Sequence, residues 1–544
     1  MSFLIKVDVI IAVHNAESTI EETVRSAMNQ VIPDHLLEKR LTYTHANDDV
    51  TDFSIVNIHF DVLVCCYNDA STDKSLEILH RLEHDFSKSS SADNERSASA
   101  ECKIVIPSKL FTGTASQDTP SRGAGYARNQ AVKLREKFEQ SQKPTRKPMH
   151  HFLCILDSDD IMHPTRIAEQ TYAMLALGFD NDSQHLCNKT LMGCQFDRIP
   201  KDSTWHYQNW ANSLSDERVY LEQFRECTLI QPTWFFSKDW FISLGGYLEA
   251  PEMLHEKRGM KRKLDNSSDE MKTQHYQLVH SSELMKPPDA SSGTETTTLR
   301  LAEDLRLFYA HLHSSGYLHL HRTSHPLVSY RHRSGMSQSS STPRKLLLKL
   351  RAKAWEDLVY YGRRKRGRSS YCTIWSKNGF AIWGAGRDGK DFLKALSPDV
   401  AASVVCFVDV DKKKIEEIKW YDNPALGKRI PIWHFSVLRS SKSNASVSQA
   451  MFGRIDKRKA SALSHLQNHF VSDQESYTDQ STKVSEKMER QHATSDLNNS
   501  PITQDELTTL PVVVCVAMYR TSGAMESNVA SIGRIEGENL WHMS

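Results

Sequence analysis

Three carboxylates, Asp157, Asp159 and Asp160, crowd into four residues directly after the apolar run FLCIL. Placing that much like charge at the end of a buried strand is costly in repulsion and lost hydration unless something compensates it. A divalent cation does so naturally, because Mg²⁺ or Mn²⁺ takes oxygen ligands, often only one or two protein carboxylates, and completes its shell with water and substrate phosphates. The Asp157-x-Asp159 pair suits that arrangement. A turn leading into a helix N-cap has the same composition, and Asp160, just ahead of Pro164, fits this plainer role. Two more apolar runs end in polar groups: FDVLVCCYND ends in Asn68-Asp69, and VDVIIAVHN leads into His14-Asn15-Ala16-Glu17. A carboxylate at the position of Asp69 can accept an N–H from a pyrimidine base. Glu303-Asp304 opens an amphipathic pattern, AEDLRLFYAHL, where acidic residues in the first turn complement the helix dipole.

A separate constellation lies near the C-terminus. Gly384, Gly386 and Gly389 follow the strand-like FAIW, and Asp409 ends the next apolar run 20 residues beyond Gly389. This is the dinucleotide-binding pattern in its proper context, and its use could be a nicotinamide cofactor, a nucleotide sugar or a partner. The same glycines also serve simply to turn a strand into a closely packed helix.

These residues need strands to carry them to one edge. A chain of 544 residues exceeds what one hydrophobic core supports, so at least two domains are expected. The runs at 7–15, 60–69, 102–108 and 151–160 are almost continuously apolar, as in strands buried on both faces of a parallel sheet. Helical patterns alternate with them at 17–29, behind a Ser18 cap, and at 123–137, with Ala127, Ala131 and Leu134 at helical spacing. The fold class is therefore α/β. Polar stretches at about 34–53, 87–100 and 250–298 read as insertions in a first domain spanning 1–335. Residues 336–372, including the basic RRKRGR (363–368), read as a helical or basic linker. A second, smaller Rossmann-like domain follows at 373–544, with strands at 380–383, 403–411, 429–435 and 511–518 and a polar excursion at about 440–508.

Composition narrows the partners. The 68 basic and 67 acidic residues leave a net charge of +1, so nothing draws the chain as a whole to nucleic acid or anionic membrane, and neither is expected as a partner. No apolar run approaches the ~18 residues of a membrane span. Ten scattered cysteines show neither CxxC spacing nor a disulfide framework, and MSFLIKVDVIIAVHN reads as a strand rather than a signal. The expected location is cytoplasmic, with RRKRGR as a candidate nuclear signal.

Four motifs in order, VIIAVHNAESTIEETVRSAMNQ, YNDASTDKS, SRGAGYARNQAV and LDSDD, resemble glycosyltransferase family 2 over residues 7–335, insertions aside. Ala12 stands where that family commonly has proline, and His14 where it has tyrosine. The resemblance implies a GT-A domain, Mn²⁺ or Mg²⁺ as cofactor, and inverting transfer of a sugar, N-acetylglucosamine, from a UDP-sugar donor to an unknown acceptor. It implies that His14, Glu17 and Asp69 line the uridine pocket, that Asp157 faces ribose or metal and that Asp159 binds the metal. Asp304 would then be the general base, with Glu303 toward the acceptor. Arg122 and Arg128, flanking a glycine-rich helix start, are candidates for diphosphate contact or ordinary surface arginines. Trp234 is either an acceptor-site floor or a core residue. A non-catalytic nucleotide-sugar-binding protein and an NAD-dependent enzyme built on Gly384, Gly386, Gly389 and Asp409 are the competing readings.

Overall fold

In the computed structural model, the apolar runs at 7–15, 60–69 and 151–160 become neighbouring strands with helices on both faces. Described are residues 3–44, 50–92, 104–116, 119–140, 147–178, 185–201, 203–249, 301–332, 342–362, 373–424, 427–439, 503–516 and 523–543. The chain divides into two compact units, Met1–Tyr371 and Cys372–Ser544.

The first unit is framed by β1 (Phe3–Val13), α1 (Ile20–Met28), β2 (Ile58–Asn68), α2 (Ser75–Ala92), β3 (Ser108–Thr114), α3 (Ala124–Gln140), β4 (His150–Asp157), α4 (Arg166–Leu175), β5 (Thr190–Cys194), β6 (Phe235–Ser237), α5 (Glu303–His313), β7 (Tyr317–His321) and α6 (Arg344–Trp355). Its seven-stranded sheet has the order β7-β5-β6-β4-β1-β2-β3, parallel throughout except for β6, which runs against both neighbours. Alternate residues of β1 serve opposite faces. Val7, Val9 and Ile11 pack with Ile20 and Val24 of α1, Leu79 and Leu82 of α2, and Ile167 and Met174 of α4. Asp8 points the other way, to α3. A separate three-stranded sheet joins Phe196–Ile199, Val328–Arg331 and Ile161–Met162.

Asp8 is fully buried and accepts from Arg135 Nε of α3 at 2.6 Å and His151 Nε2 at 2.8 Å, with Lys238 Nζ 3.6 Å away. Arg135 also reaches Asp61 Oδ2 of β2 at 2.9 Å. Burial pushes the Asp8 carboxyl up, but His151, Arg135 and Lys238 together outweigh it and hold it well below the ordinary carboxylate range.

The α/β class and the parallel-dominated sheet expected from the sequence are present. Several local expectations differ. CKIVIPS does not supply the third sheet strand: Ile104–Ile106 pairs antiparallel with Gln30–Ile32, leaving Ile104 and Val105 exposed, and β3 follows it. Being an edge strand, β3 (SKLFTGT) lacks the continuous apolarity of β1 and β2. The cap of α1 is Thr19 rather than Ser18. The stretch at 34–53 is partly folded, with a turn of helix at Asp34–Leu37 and a hairpin of Arg40–Thr44 with Val50–Ser54; Leu36 and Leu41 are buried in the core. Helix α2 runs into the expected 87–100 insertion as far as Ala92. Within 336–372, α6 buries Ala352, Ala354 and Trp355, and its Arg351 pairs with Glu226 at 2.8 Å. The remaining insertion residues at 45–49, 93–100, 250–298 and 440–502, and the RRKRGR segment, lie outside the described residues.

The second unit contains β8 (Phe380–Trp383), α7 (Arg387–Ala395), β9 (Val404–Asp409), β10 (Trp420–Asn423), β11 (Lys428–His434), β12 (Val512–Val514) and β13 (Leu540–His542). The order β10-β11-β9-β8-β12-β13, parallel except at β10, places the reversal of strand order between β8 and β12. Among the described residues no helix is long and apolar enough to cross a membrane, and the eight described cysteines are free and buried.

Because Asp8 is the shared counter-ion of Arg135 and Lys238 and also accepts from His151, Asp8→Asn should cost the full chain about 3–5 kcal/mol in denaturant titration at neutral pH. Its depressed pKa stabilises the fold above the ordinary carboxyl value of 3.8 and ceases to do so as pH falls toward the folded value. The gap between wild type and variant should therefore narrow below about pH 4.

Candidate active site

Strand register delivers the carboxylates to one edge. Asp157 of β4 lies beside Ala12 of β1, and Val13 beside Asn68 of β2. The ends of β4 and β2 are thus two strands, roughly 10 Å, apart.

At the β2 end, Asp69 is almost fully buried. Its Oδ2 accepts from Ser121 Oγ at 2.8 Å, Arg122 N–H at 2.9 Å and Gly123 N–H at 2.7 Å, so this one oxygen folds the turn that opens α3. Its Oδ1 is buried and has no partner, an acceptor suited to an N–H from a ligand. His14 is exposed next to it and donates from Nδ1 to the Asp69 carbonyl at 2.8 Å. The loops after β1 and β2 interlock: Asn15 N–H donates to Ser71 Oγ, Ala16 N–H to Ser75 Oγ and Glu17 N–H to Asp73 Oδ2. The Glu17 carboxylate in turn accepts from Lys74 N–H at 3.1 Å, which engages it with the second loop rather than with the start of α1.

At the β4 end, the Asp157–Asp160 turn is gripped through its backbone. The Ser158 carbonyl accepts from Thr19 Oγ1 at 3.0 Å and Thr23 Oγ1 at 3.1 Å, the first capping α1 and the second within it. The Asp159 carbonyl accepts from Arg331 Nε at 2.8 Å, and Arg331 also pairs with Glu22 at 2.7 Å. Asp160 is not the cap of α4, a position held by Thr165. It is fully buried, accepts the Arg331 N–H through Oδ1 and leaves Oδ2 without a partner. Burial, followed by the charges of Asp157 and Asp159, pushes its carboxyl well above the ordinary range. The turn thus holds a buried carboxylate oxygen without a partner beside two further carboxylates. Among the described residues no three His, Cys, Asp or Glu side chains form a ready-made metal cage. The donor set instead suits an ion that takes one or two carboxylates and draws further oxygens from substrate.

Arg128 joins this end to the Glu303-Asp304 helix. Far from being a surface residue, it is 4% exposed, with Nη2 2.6 Å from Asp157 Oδ1 and Nη1 2.9 Å from Glu303 Oε1. Burial opposes its charge, but Asp157, Tyr247 and Glu303 raise its pKa further above an already high value. Gly125 permits the approach of α3 and α5, since a Cβ there would sit 3.3 Å from Glu303 Cβ and 3.2 Å from Tyr247 Cβ. Arg122 lies over the Tyr126 ring at 3.9 Å, with Nη2 3.3 Å from Glu249. Asp304 is half-buried and accepts its own helix's Leu305 N–H at 2.7 Å. Burial first and the neighbouring Glu303 second push its carboxyl up to about 7, the range of a general base at neutral pH.

Backbone strain marks the same places. Asn15, Ala70 and Ala302, adjoining His14, Asp69 and Glu303 respectively, all have φ between 50° and 55°, a region alanine enters at a cost of roughly 1–3 kcal/mol.

Other expected site residues stand apart. Trp234 is fully buried and donates from Nε1 to the Leu229 carbonyl at 2.7 Å, so it is a core residue with no face for a sugar. In the second unit, Gly384 has φ of 111°, and a Cβ on Gly389 would lie 1.9 Å from the Gly384 carbonyl oxygen, so both glycines are needed to pack the turn. A Cβ on Gly386 would meet only the Lys414 Nζ, at 4.0 Å, so packing does not demand glycine there. Asp409 is not presented to a ribose: Oδ2 accepts from Ala385 N–H and Lys414 Nζ, and Oδ1 from Val410 and Asp411 N–H.

Sequence reasoning missed Thr19, Thr23, Ser121 and Arg331. The two threonines, four apart on α1, left a readable trace as paired hydroxyls on one helix face; Arg331 left none, because its partners lie over 170 positions away.

No family model matches the chain. Among solved structures it is similar to S. aureus TarS 1–349 in complex with UDP-GlcNAc, at 14% identity and a TM-score of 0.35, over 74% of this chain and 84% of that one. It is also similar to mannosyltransferase PcManGT from Pyrobaculum calidifontis in complex with GDP-Man and Mn²⁺, at 11% identity and a TM-score of 0.31, over 86% of this chain and 83% of that one. At this degree of likeness neither assigns a residue or substrate here.

A raised carboxyl pKa costs stability once pH exceeds the ordinary value, and fully so above the folded one. Asp304→Asn should therefore stabilise the full chain by roughly 1–3 kcal/mol at pH 8 and change it little near pH 4, read from denaturant midpoints.

Proposed function

We propose that the first unit is a metal-dependent, inverting glycosyltransferase that moves a sugar, N-acetylglucosamine, from a UDP-sugar to an acceptor hydroxyl. The observation that carries this reading is the buried Arg128 of α3, the helix whose opening turn is folded by Asp69: it brings Asp157 at the end of β4 against Glu303 at the start of α5.

In this reading the orphan Oδ1 of Asp69 accepts the uracil N–H, with the exposed His14 ring beside the base and Glu17 at the rim. Asp159, with Asp157 alongside, would hold Mn²⁺ or Mg²⁺, which supplies neutralisation of the charge building on the departing diphosphate. Asp304 takes the proton from the acceptor hydroxyl. The acceptor oxygen bonds to the anomeric carbon as the bond to phosphate breaks from the opposite face, UDP leaving with the electron pair, and configuration inverts. Glu303, fixed by Arg128, raises the basicity of Asp304 by its charge. Free, buried cysteines fit a reducing compartment, hence a cytoplasmic or nuclear acceptor.

A carboxyl held near neutrality at the start of α5 favours catalysis over simple nucleotide-sugar binding. An NAD-dependent enzyme fits less well, because Asp409 is engaged in holding its own glycine turn.

UDP with Mn²⁺ should raise the melting temperature of the wild type and of Asp304→Asn but not of Asp159→Ala. UDP-sugar hydrolysis or transfer should fall roughly 100- to 10,000-fold in Asp304→Asn. In the wild type it should rise with pH through a limb near 7, since the base must be deprotonated. The proposal fails if UDP and Mn²⁺ leave the wild type unshifted, or if Asp304→Asn turns over as fast as the wild type.

A further inference from the structure

Among the described residues, deeply buried arginines of the first unit have polar partners: Arg128 has Asp157 and Glu303, Arg135 has Asp8, and Arg166 has Gln170 and the Ile155 carbonyl. Arg198 departs from this pattern. It lies on the strand Phe196–Ile199, is 6% exposed, and among the described residues has no carboxylate, carbonyl or hydroxyl accepting from its guanidinium; its Nε is sealed from solvent without a partner. Three aromatic rings surround it, Tyr330 at 4.2 Å, Phe196 at 5.4 Å and Tyr207 at 5.6 Å from the guanidinium carbon to the ring centroids. Such rings offset part of the cost of burying a cation, yet they accept none of its five N–H groups in the way a carboxylate or phosphate does.

Its position points to the missing partner. Arg198 lies opposite Tyr330 in the small sheet, and the next pair is Ile199 with Arg331, the residue that grips Asp159 and Asp160. Asp157, Asp159 and Asp160 all act on the Tyr330 phenol, and Arg198 acts on both Tyr330 and Asp160. The guanidinium thus stands near the turn that would bear the metal, on the side of the small sheet, with donors unspent. We propose that Arg198 is an oxyanion-binding residue, completed by a phosphate or carboxylate oxygen of a bound substrate. This rests on the transferase reading for the identity of the substrate: the oxyanion belongs either to the UDP diphosphate or to an acidic group on the acceptor.

The full chain, Arg198→Gln and Arg198→Lys are compared by thermal shift and calorimetry with inorganic phosphate alone and with UDP plus Mn²⁺. Wild type should be stabilised by phosphate, and Arg198→Gln should bind it about 10- to 100-fold more weakly, with partial recovery in Arg198→Lys. An equal loss for UDP assigns the oxyanion to the donor; unchanged UDP binding with lost phosphate binding assigns it to the acceptor. Phosphate and UDP binding as tight in Arg198→Gln as in the wild type, with or without a fall in unliganded melting temperature, would make Arg198 a mere filler of its aromatic cage and overturn the proposal. Should Arg198→Gln not fold, Arg198→Lys decides, since it keeps the charge but loses the fork: weaker phosphate binding supports the proposal and equal binding overturns it. If phosphate separates wild type from variant while UDP binds neither, the oxyanion site stands and the transferase reading falls.

Discussion

A single guanidinium, that of Arg128, is shared between a carboxylate ending a strand and another opening a helix some 146 residues later in the sequence. Asp157 and Glu303 would repel each other if brought together alone, and each would lose hydration without return. A planar fork offers parallel donors to both, at 2.6 Å and 2.9 Å, and remains charged throughout the accessible pH range. Lysine, a point charge on a flexible stem, has no equivalent geometry. The neighbourhood of Asp304 thus depends on a contact in which Asp304 itself takes no part.

That contact is only as well placed as α3, and α3 is held twice. Arg128 and Arg135 are seven residues apart, two turns on one face, and both point inward. Arg135 ties the helix to Asp8 in the middle of β1 and to Asp61 of β2, while Arg128 ties it to the edge where the strands end. Asp69 fixes the entry to the helix through three donors on one oxygen. The bare backbone at Gly125 lets α5 approach. Apolar packing sets the layers, and these ionic ties set the position of the helix within them.

What could be read from sequence followed from locality. The central strands and α3 announced themselves because burial on both faces leaves runs such as VDVII and a regular helical spacing. Asp69, Asp157 and Asp159 were legible because polar residues that terminate such runs must lie at the sheet edge. The edge strand β3 was missed since half-exposed residues carry no such pattern, and CKIVIPS, more apolar, lies in a small outer ribbon instead. Arg128 stayed open between diphosphate contact and surface because its glycine-rich, polar surroundings gave no sign of the carboxylates that bury it. Trp234 could not be assigned between core and ligand face by composition alone, and its indole N–H on Leu229 settles it as core. Arg331 and Arg198 depend on strand pairing across long sequence separations, which no local pattern encodes.

The shared guanidinium also makes the two ends of the edge electrically interdependent. A cation arriving at the Asp157-Asp159 turn would draw on the same carboxylate that now balances half of the Arg128 charge, and the freed half would fall to Glu303. With Glu303 better neutralised, its repulsion of a charged Asp304 weakens and that group gives up its proton more readily. On the transferase reading proposed above, donor arrival and readiness of Asp304 would then be one event rather than two, and an acceptor would meet an ionised carboxylate chiefly when there is a sugar to receive it.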